Sequence, residues 1–180
     1  YMNWLMDNKL PMSVSATGGR QSKPWNVKGN TFDHFAVEYD YGNGVKGMHF
    51  ARQQNGTDFR NSVEALGSKG ALDVNIMSNY TIYGESPYVY KGSINNMYQT
   101  QHDELMQAIR TDKVLNDGDH MVNSTLLAIW GKVAAYTGKR ITHEQIMNST
   151  ETLGPRSDQY SSEMGIDSAE IAKPGLKKFV

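Results

Sequence analysis

Along this chain the spacing of apolar positions changes once, from strand-like alternation in the first half to helical spacing in the second. Tyr1-Met2-Asn3-Trp4-Leu5-Met6 reads as a stretch of amphipathic helix, and Pro11 follows it. Met12-Ser13-Val14-Ser15-Ala16 alternates apolar and small polar residues, which predicts a strand before Gly18-Gly19-Arg20. A loop containing Pro24 and Gly29-Asn30 comes next. The clearest local signal is a strand over residues 31–41, the turn Gly42-Asn43-Gly44, and a strand over 45–53. Asn-Gly between two such runs is the favoured two-residue hairpin, because both central residues tolerate positive φ.

With Asn43 and Gly44 as the turn, simple counting pairs Gly42 with Val45, Tyr39 with Met48, Val37 with Phe50 and Phe35 with Arg52. One face then carries Phe35, Val37, Tyr39, Met48 and Phe50 and reads as a core face. The other carries His34, Ala36, Glu38, His49, Ala51 and Gln53, with Glu38 opposite His49, and reads as mixed and polar. A slip of two residues would leave these faces unchanged. Further strands are expected over 61–66, 71–76 and 79–83, the first two joined through Gly67-Ser68-Lys69-Gly70.

In the second half, Met97, Tyr98, Gln101, His102, Leu105, Ala108 and Ile109 fall at helical spacing. Asn116-Asp117-Gly118-Asp119 opens a longer helix through Met121, Val122, Thr125, Leu126, Ile129, Val133 and Tyr136. It stops at Gly138, a favoured residue just past a helix end. Thr142-His143-Glu144-Gln145 is a capping box. Residues 155–180 lack clear periodicity, and Pro174-Gly175 with Phe179-Val180 suggests an extended tail over the surface. Short strands joined by tight turns, followed by helices, predict an α+β domain. Its sheet is predominantly antiparallel (mixed) and open, with helices packed on one face. No internal repeat is visible, and the 180 residues fit one domain with a real core.

Composition narrows the function classes. Lys and Arg number 18 against 19 Asp and Glu, with no basic stripe, so nucleic acid is not expected as a partner. The longest apolar stretch, near residues 126–136, is interrupted by Trp130-Gly131-Lys132 and falls short of a membrane span. There is no cysteine, which excludes disulfides, thiolate metal ligation and a Cys nucleophile. The start has neither an initiator methionine nor a signal-peptide pattern, which reads as a piece of a longer protein whose compartment the sequence does not give.

Chemistry-bearing patterns are sparse. A dinucleotide site needs a Gly-rich turn between strand and helix, and neither Gly42-Asn43-Gly44 nor Gly67-Ser68-Lys69-Gly70 fits. His34, His49, His102, His120 and His143 are scattered, with no metal-ligand spacing. His102 lies one turn after Tyr98, either as a helix histidine bonding a neighbour or as a substrate or cofactor contact. Arg20 and Arg52 could hold anionic or hydroxyl-rich groups or form surface ion pairs. His34, Glu38 and His49 are candidates for contact with a second subunit or a substrate.

The run Gly29-Asn30-Thr31-Phe32-Asp33-His34-Phe35-Ala36-Val37-Glu38-Tyr39, then Asn43-Gly44-Val45 and Ala51-Arg52-Gln53, resembles the glucose–fructose oxidoreductase / inositol dehydrogenase (Gfo/Idh/MocA) family. It is similar in particular to the branch abundant in Bacteroidetes and Planctomycetes. Tyr98-Gln99-Thr100-Gln101-His102-Asp103-Glu104-Leu105 looks like a helix of that branch. So do Asn116-Asp117-Gly118, Asn123-Ser124-Thr125-Leu126 and Ala134-Ala135-Tyr136-Thr137-Gly138, and the ending Pro174-Gly175-Leu176-Lys177-Lys178-Phe179. The resemblance spans essentially the whole chain.

It implies that residues 1–180 are a single C-terminal substrate-binding and oligomerisation domain, with residues 155–180 as its tail. A Rossmann domain outside this chain would bind NAD or NADP. It further implies an oxidoreductase acting on a sugar or cyclitol hydroxyl and assembling as a homo-oligomer through the polar sheet face. In the family the catalytic lysine lies in the cofactor domain, and an Asp and a His usually precede the pair matched here by Trp4-Leu5. The chain by itself is therefore expected to hold no catalytic, cofactor-binding or metal-binding residue. Arg20, Arg52, Tyr98 and His102 are its candidate substrate contacts, and His34, Glu38 and His49 its candidate interface residues. Two alternatives share the resemblance or replace it: an NAD-dependent glycoside hydrolase of the same family, and a non-catalytic binding or assembly module.

Overall fold

A computed structural model of the chain describes residues 1–23, 29–76, 78–152 and 170–180. In chain order the elements are helix α1 (Met2–Leu5), strands β1 (Ser13–Gly19), β2 (His34–Gly42), β3 (Val45–Arg52), β4 (Ser62–Gly67), β5 (Gly70–Asn75), β6 (Asn79–Gly84) and β7 (Tyr88–Val89), helices α2 (Met97–Arg110) and α3 (Gly118–Thr137), strand β8 (Ile141–Thr142) and helix α4 (His143–Met147). The class is α+β with antiparallel open sheets, as the alternation of the sequence predicts. The strands form two four-stranded sheets, ordered β3-β2-β1-β8 and β4-β5-β6-β7. By internal contacts the chain divides into two compact units, a larger one of Met2–Gly56 with Gly118–Val180 and a smaller one of Thr57–Asp117 with Tyr1.

In the larger unit α3 lies across β1 and β2. Val14, Val37, Tyr39, Leu127, Trp130, Val133, Ala134, Ile141 and Ile146 form its core, with Trp130 wholly enclosed. The Trp130 Nε1 donates to the Ile141 carbonyl at 3.0 Å, so the largest apolar side chain also satisfies its one polar atom. Gly131 sets how closely the helix approaches: a Cβ there would stand 3.0 Å from the Tyr39 hydroxyl and 3.2 Å from a Val37 methyl. The Tyr39 hydroxyl donates to the Leu127 carbonyl at 3.1 Å, and desolvation pushes its pKa up to about 12. The helix ends where Gly138 adopts φ 67°, and the predicted capping box of α4 forms, with Gln145 N–H on the Thr142 hydroxyl and Thr142 N–H on the Gln145 side chain.

The β2–β3 hairpin turns at Asn43 and Gly44, both at positive φ (51° and 79°), as Asn-Gly predicts. Its register differs from simple counting. Gly42 pairs with Val45, but Asp40 pairs with Lys46, so Tyr41 is an extra residue on β2, a β-bulge. The Asp40 side chain accepts from Gly42 N–H at 2.9 Å across this irregularity. Tyr39 therefore pairs with Gly47, Val37 with His49 and Phe35 with Ala51. An offset of one residue exchanges the faces of β3. Met48 and Phe50 lie on the side away from α3, 58% and 73% exposed, and Gly47 lies on the inner side against Met2.

In the smaller unit β4, β5 and β6 form a meander with Ser68-Lys69 at the first turn, and β7 adds a short edge. One side carries Val63, Ala65, Leu72, Val74, Tyr80, Ile82 and Tyr88, the other Glu64, Asp73 and Thr81. Helix α2 is capped by Asn96, whose side chain accepts from Tyr98 and Gln99 N–H. Of the predicted tail, residues 153–169 lie outside the described residues. At its end, Gly175 N–H donates to the Thr137 carbonyl at 2.8 Å, and Phe179 packs against the larger unit's core.

Candidate functional site

The densest polar arrangement in the larger unit is built around Asp33, just before β2. Its side chain is buried. Oδ2 accepts from the backbone N–H groups of Gln21, Ser22 and Lys23 at 2.7, 2.7 and 3.1 Å. Oδ1 accepts from the Gln54 amide at 3.2 Å and from His34 Nδ1 at 2.8 Å. Burial by itself would raise this carboxyl's pKa, but the His34 bond and the three backbone donors outweigh it and hold the group well below the usual carboxylate range. One carboxylate thus fixes the residues that follow Arg20 and the first residue of β2.

A carboxylate only accepts, so His34 Nδ1 carries a hydrogen, and in the neutral ring Nε2 is the acceptor. The ring lies over Gly19, its strand partner: a Cβ at Gly19 would come within 3.2 Å of the imidazole Cε1. At Gly18 a Cβ would stand 2.6 Å from the His34 carbonyl. The double glycine of the sequence is therefore a seat for His34 and its strand. Arg52 pairs with His34 from the other side. The Arg20 guanidinium donates to the Gly29 carbonyl.

The outward face of this sheet thus presents, row by row, Ser13, Asp40 and Lys46; Ser15, Glu38 and Met48; Thr17, Ala36 and Phe50; Gly19, His34 and Arg52. At its first row Lys46 bridges Glu38 at 2.7 Å and Asp40 at 3.3 Å, and Arg140 bonds the Ser13 hydroxyl at 2.8 Å and Asp40 at 3.0 Å. The Gly42 N–H and Lys46 lower the Asp40 pKa, while Glu38 and Asp40 raise that of Lys46.

Of the sequence-stated candidates, His34, Arg52 and Glu38 share this outward face, with Arg20 just past the end of β1. The expected pairing of Glu38 with His49 does not form. Glu38 pairs with Met48, and the bulge at Tyr41 turns His49 to the α3 side opposite Val37, where desolvation lowers its pKa. Tyr98 and His102 sit one turn apart on α2 in the smaller unit, both exposed, and the residues that follow each of them, Gln99 and Asp103, are joined by a hydrogen bond of 2.8 Å. Asp33, the organiser, was not singled out from sequence. An acid placed between Phe32 and a β-strand, downstream of a double glycine, is the only signal it leaves.

Among the described residues every strand pairing is antiparallel, so none of them forms the strand–turn–helix cradle that a dinucleotide requires. No group of three or more His, Cys, Asp or Glu among them could hold a metal ion. No helix among them is long and apolar enough to cross a membrane.

No family profile and no curated protein matches the sequence. Solved structures share the fold. UDP-N-acetylglucosamine 3-dehydrogenase from Acidithiobacillus ferrooxidans superposes on 70% of this chain with a TM-score of 0.56 at 13% identity, over 40% of its own length. Aldose-aldose oxidoreductase from Caulobacter crescentus, complexed with glycerol, covers 78% with a TM-score of 0.59 at 16% identity, over 43% of its length. An oxidoreductase from Agrobacterium radiobacter, in complex with NAD+, L-tartaric acid and magnesium, covers 78% with a TM-score of 0.53 at 12% identity, over 45% of its length. The chain therefore spans less than half the length of each of these proteins.

Proposed function

We propose that this chain is the sheet-forming, C-terminal part of a Gfo/Idh/MocA-type oxidoreductase that uses NAD or NADP to oxidise a hydroxyl of a sugar or cyclitol. The observation that carries the reading is the shared fold. Three oxidoreductases superpose on 70–78% of this chain while it spans only 40–45% of theirs. The family motifs around Asp33-His34, Asn43-Gly44 and Tyr98–His102 support the same assignment.

In this reading a Rossmann domain in the rest of the protein holds the cofactor, since the described residues do not fit it. The acid–base residues also lie there or next to it. The present residues contribute recognition: Arg20, just before the backbone that Asp33 holds, Arg52, the strand partner of His34, and Tyr98 and His102 on α2. An Arg fork suits a substrate dense in hydroxyls, because it presents several N–H donors in fixed geometry. The outward sheet face, with His34, Glu38 and the exposed Met48 and Phe50, serves self-association. The chain by itself catalyses nothing.

The test uses the protein in its longer form, incubated with NAD+ or NADP+ and a panel of sugars, cyclitols and aryl glycosides. Net formation of reduced nicotinamide is the expected result. NAD+-dependent aglycone release without net reduction would replace the dehydrogenase by a glycoside hydrolase. No cofactor binding and no turnover would leave a binding or assembly module.

A further inference from the structure

The faces of α3 are apolar nearly all round. Leu127, Trp130 and Ala134 meet the sheet-side core, while Leu126, Ile129 and Val133 form a second stripe one-third of a turn away. Ile146 of α4 partly covers that second stripe, and between them a cleft of about 160 Å³ remains. Its floor is aliphatic, from Leu126, Ile129, Val133 and Ile146, and the Tyr136 ring forms one wall. Its rim is polar, with the charged Lys132, Lys177 and Glu151 and the hydroxyl of Ser149.

Among the described residues the two lysines of this rim are held differently. Lys177 is paired with Glu151 at 2.6 Å. Lys132 lies 5.2 Å from the centroid of the Tyr136 ring, and among the described residues that ring is its contact. A ring face attracts the ammonium without consuming its N–H donors. The cleft therefore combines an apolar chamber, closed on the sheet side by buried Val133, with one cation whose donors no carboxylate among the described residues takes.

We propose that this cleft binds a small monocarboxylate with a compact apolar body, a single aromatic ring or a branched aliphatic chain, whose carboxylate is held by Lys132. Size supports the class: an apolar cavity of about 150 Å³ accommodates one benzene ring. Charge supports it too, because a neutral ligand would leave Lys132 without a counter-ion at the mouth, and a dianion would meet Glu151. The cleft is lined by the larger unit alone and involves none of the residues assigned above to the sugar or the cofactor. The inference does not depend on the redox reading.

The experiment titrates the full chain with benzoate and, separately, with benzyl alcohol as the neutral analogue of like shape. Methyl resonances of Ile129, Val133 and Ile146 report occupancy. Saturable shifts at these methyls in the millimolar range are expected with benzoate, with benzyl alcohol about fivefold weaker. Lys132→Gln should weaken benzoate about fivefold and leave benzyl alcohol unchanged, whereas Lys139→Gln, on an exposed lysine outside the cleft, should change neither. Equal affinity for acid and alcohol overturns the proposal, as does an unaltered benzoate affinity in Lys132→Gln. Shifts that fail to saturate, or that fall outside the three methyls, overturn it as well.

Discussion

The two units contain the same object, a four-stranded antiparallel sheet, in two different states of cover. The sheet of the larger unit is roofed by α3 and has a core centred on Trp130. The sheet of the smaller unit keeps Leu72, Val74 and Tyr80 half-exposed and Ile82 41% exposed, and the described residues buried in that unit are Thr81 and Ala108. Strand pairing in both is specified locally, by short turns such as Asn43-Gly44 and Ser68-Lys69. The difference shows that pairing and burial are separate requirements: turns select the ladder, but a large apolar side chain from another element makes it stable.

The strongest way to break the contrast is to remove that side chain. Trp130→Ala should cost about 3–5 kcal/mol, through lost burial and the orphaned Ile141 carbonyl. Ile82→Ala should cost less than about 1 kcal/mol, both read by urea unfolding. Hydrogen exchange sharpens the same point, with the amides of β4–β6 expected to exchange faster than those of β1 and β2.

Asp33→Asn comes next, at about 2–3 kcal/mol, because one acceptor then faces donors that a carboxylate satisfied. The pH dependence has a definite sign. The folded carboxyl has a depressed pKa, so its contribution is complete above about pH 4, the unfolded value, and is lost as pH falls through the folded one. Acid unfolding of Asp33→Asn should lose that component, and the His34 ring should lose its fixed Nδ1–H tautomer in nitrogen NMR.

Gly131→Ala should cost about 1–3 kcal/mol through its close approach to Tyr39 and Val37. In the Tyr39→Phe background part of that cost should vanish, a coupling that a double-mutant cycle measures. The smallest effect is expected at Phe50→Ser. The bulged register places this residue outward, so its removal should change stability of the unassociated chain by less than about 0.5 kcal/mol. A large loss there would restore the unbulged pairing.

Much of this was legible in the sequence. The Asn-Gly turn, the Thr142–Gln145 capping box, the Gly138 stop and the strand-then-helix order each rest on chemistry confined to a few neighbouring residues. What escaped was non-local or depended on a single residue. The two-residue strands β7 and β8 have no period to read. The division into two sheets depends on which strand edges meet, and no local turn specifies that. Tyr41 continues the alternation of β2 perfectly, so nothing in the apolar pattern marks it as the bulge. The candidate site was half legible: Arg20, His34 and Arg52 stand out in the sequence, but Asp33, which holds the His34 ring and the backbone just after Arg20, is an ordinary acid until its donors are seen.

The bulge gives the hairpin a parity. Because side chains alternate, a one-residue shift in the pairing of β2 with β3 exchanges inside for outside on β3, whereas an extra residue held out of the ladder does not. Drawing Tyr41 into the ladder opposite Lys46 would bring Met48 and Phe50 beneath α3 and send Gly47 and His49 outward, altering both surfaces of a strand in which no residue had changed. Deleting Tyr41 would instead leave Gly42 opposite Val45 and Asp40 opposite Lys46, so the bulge absorbs one residue of length without moving either surface.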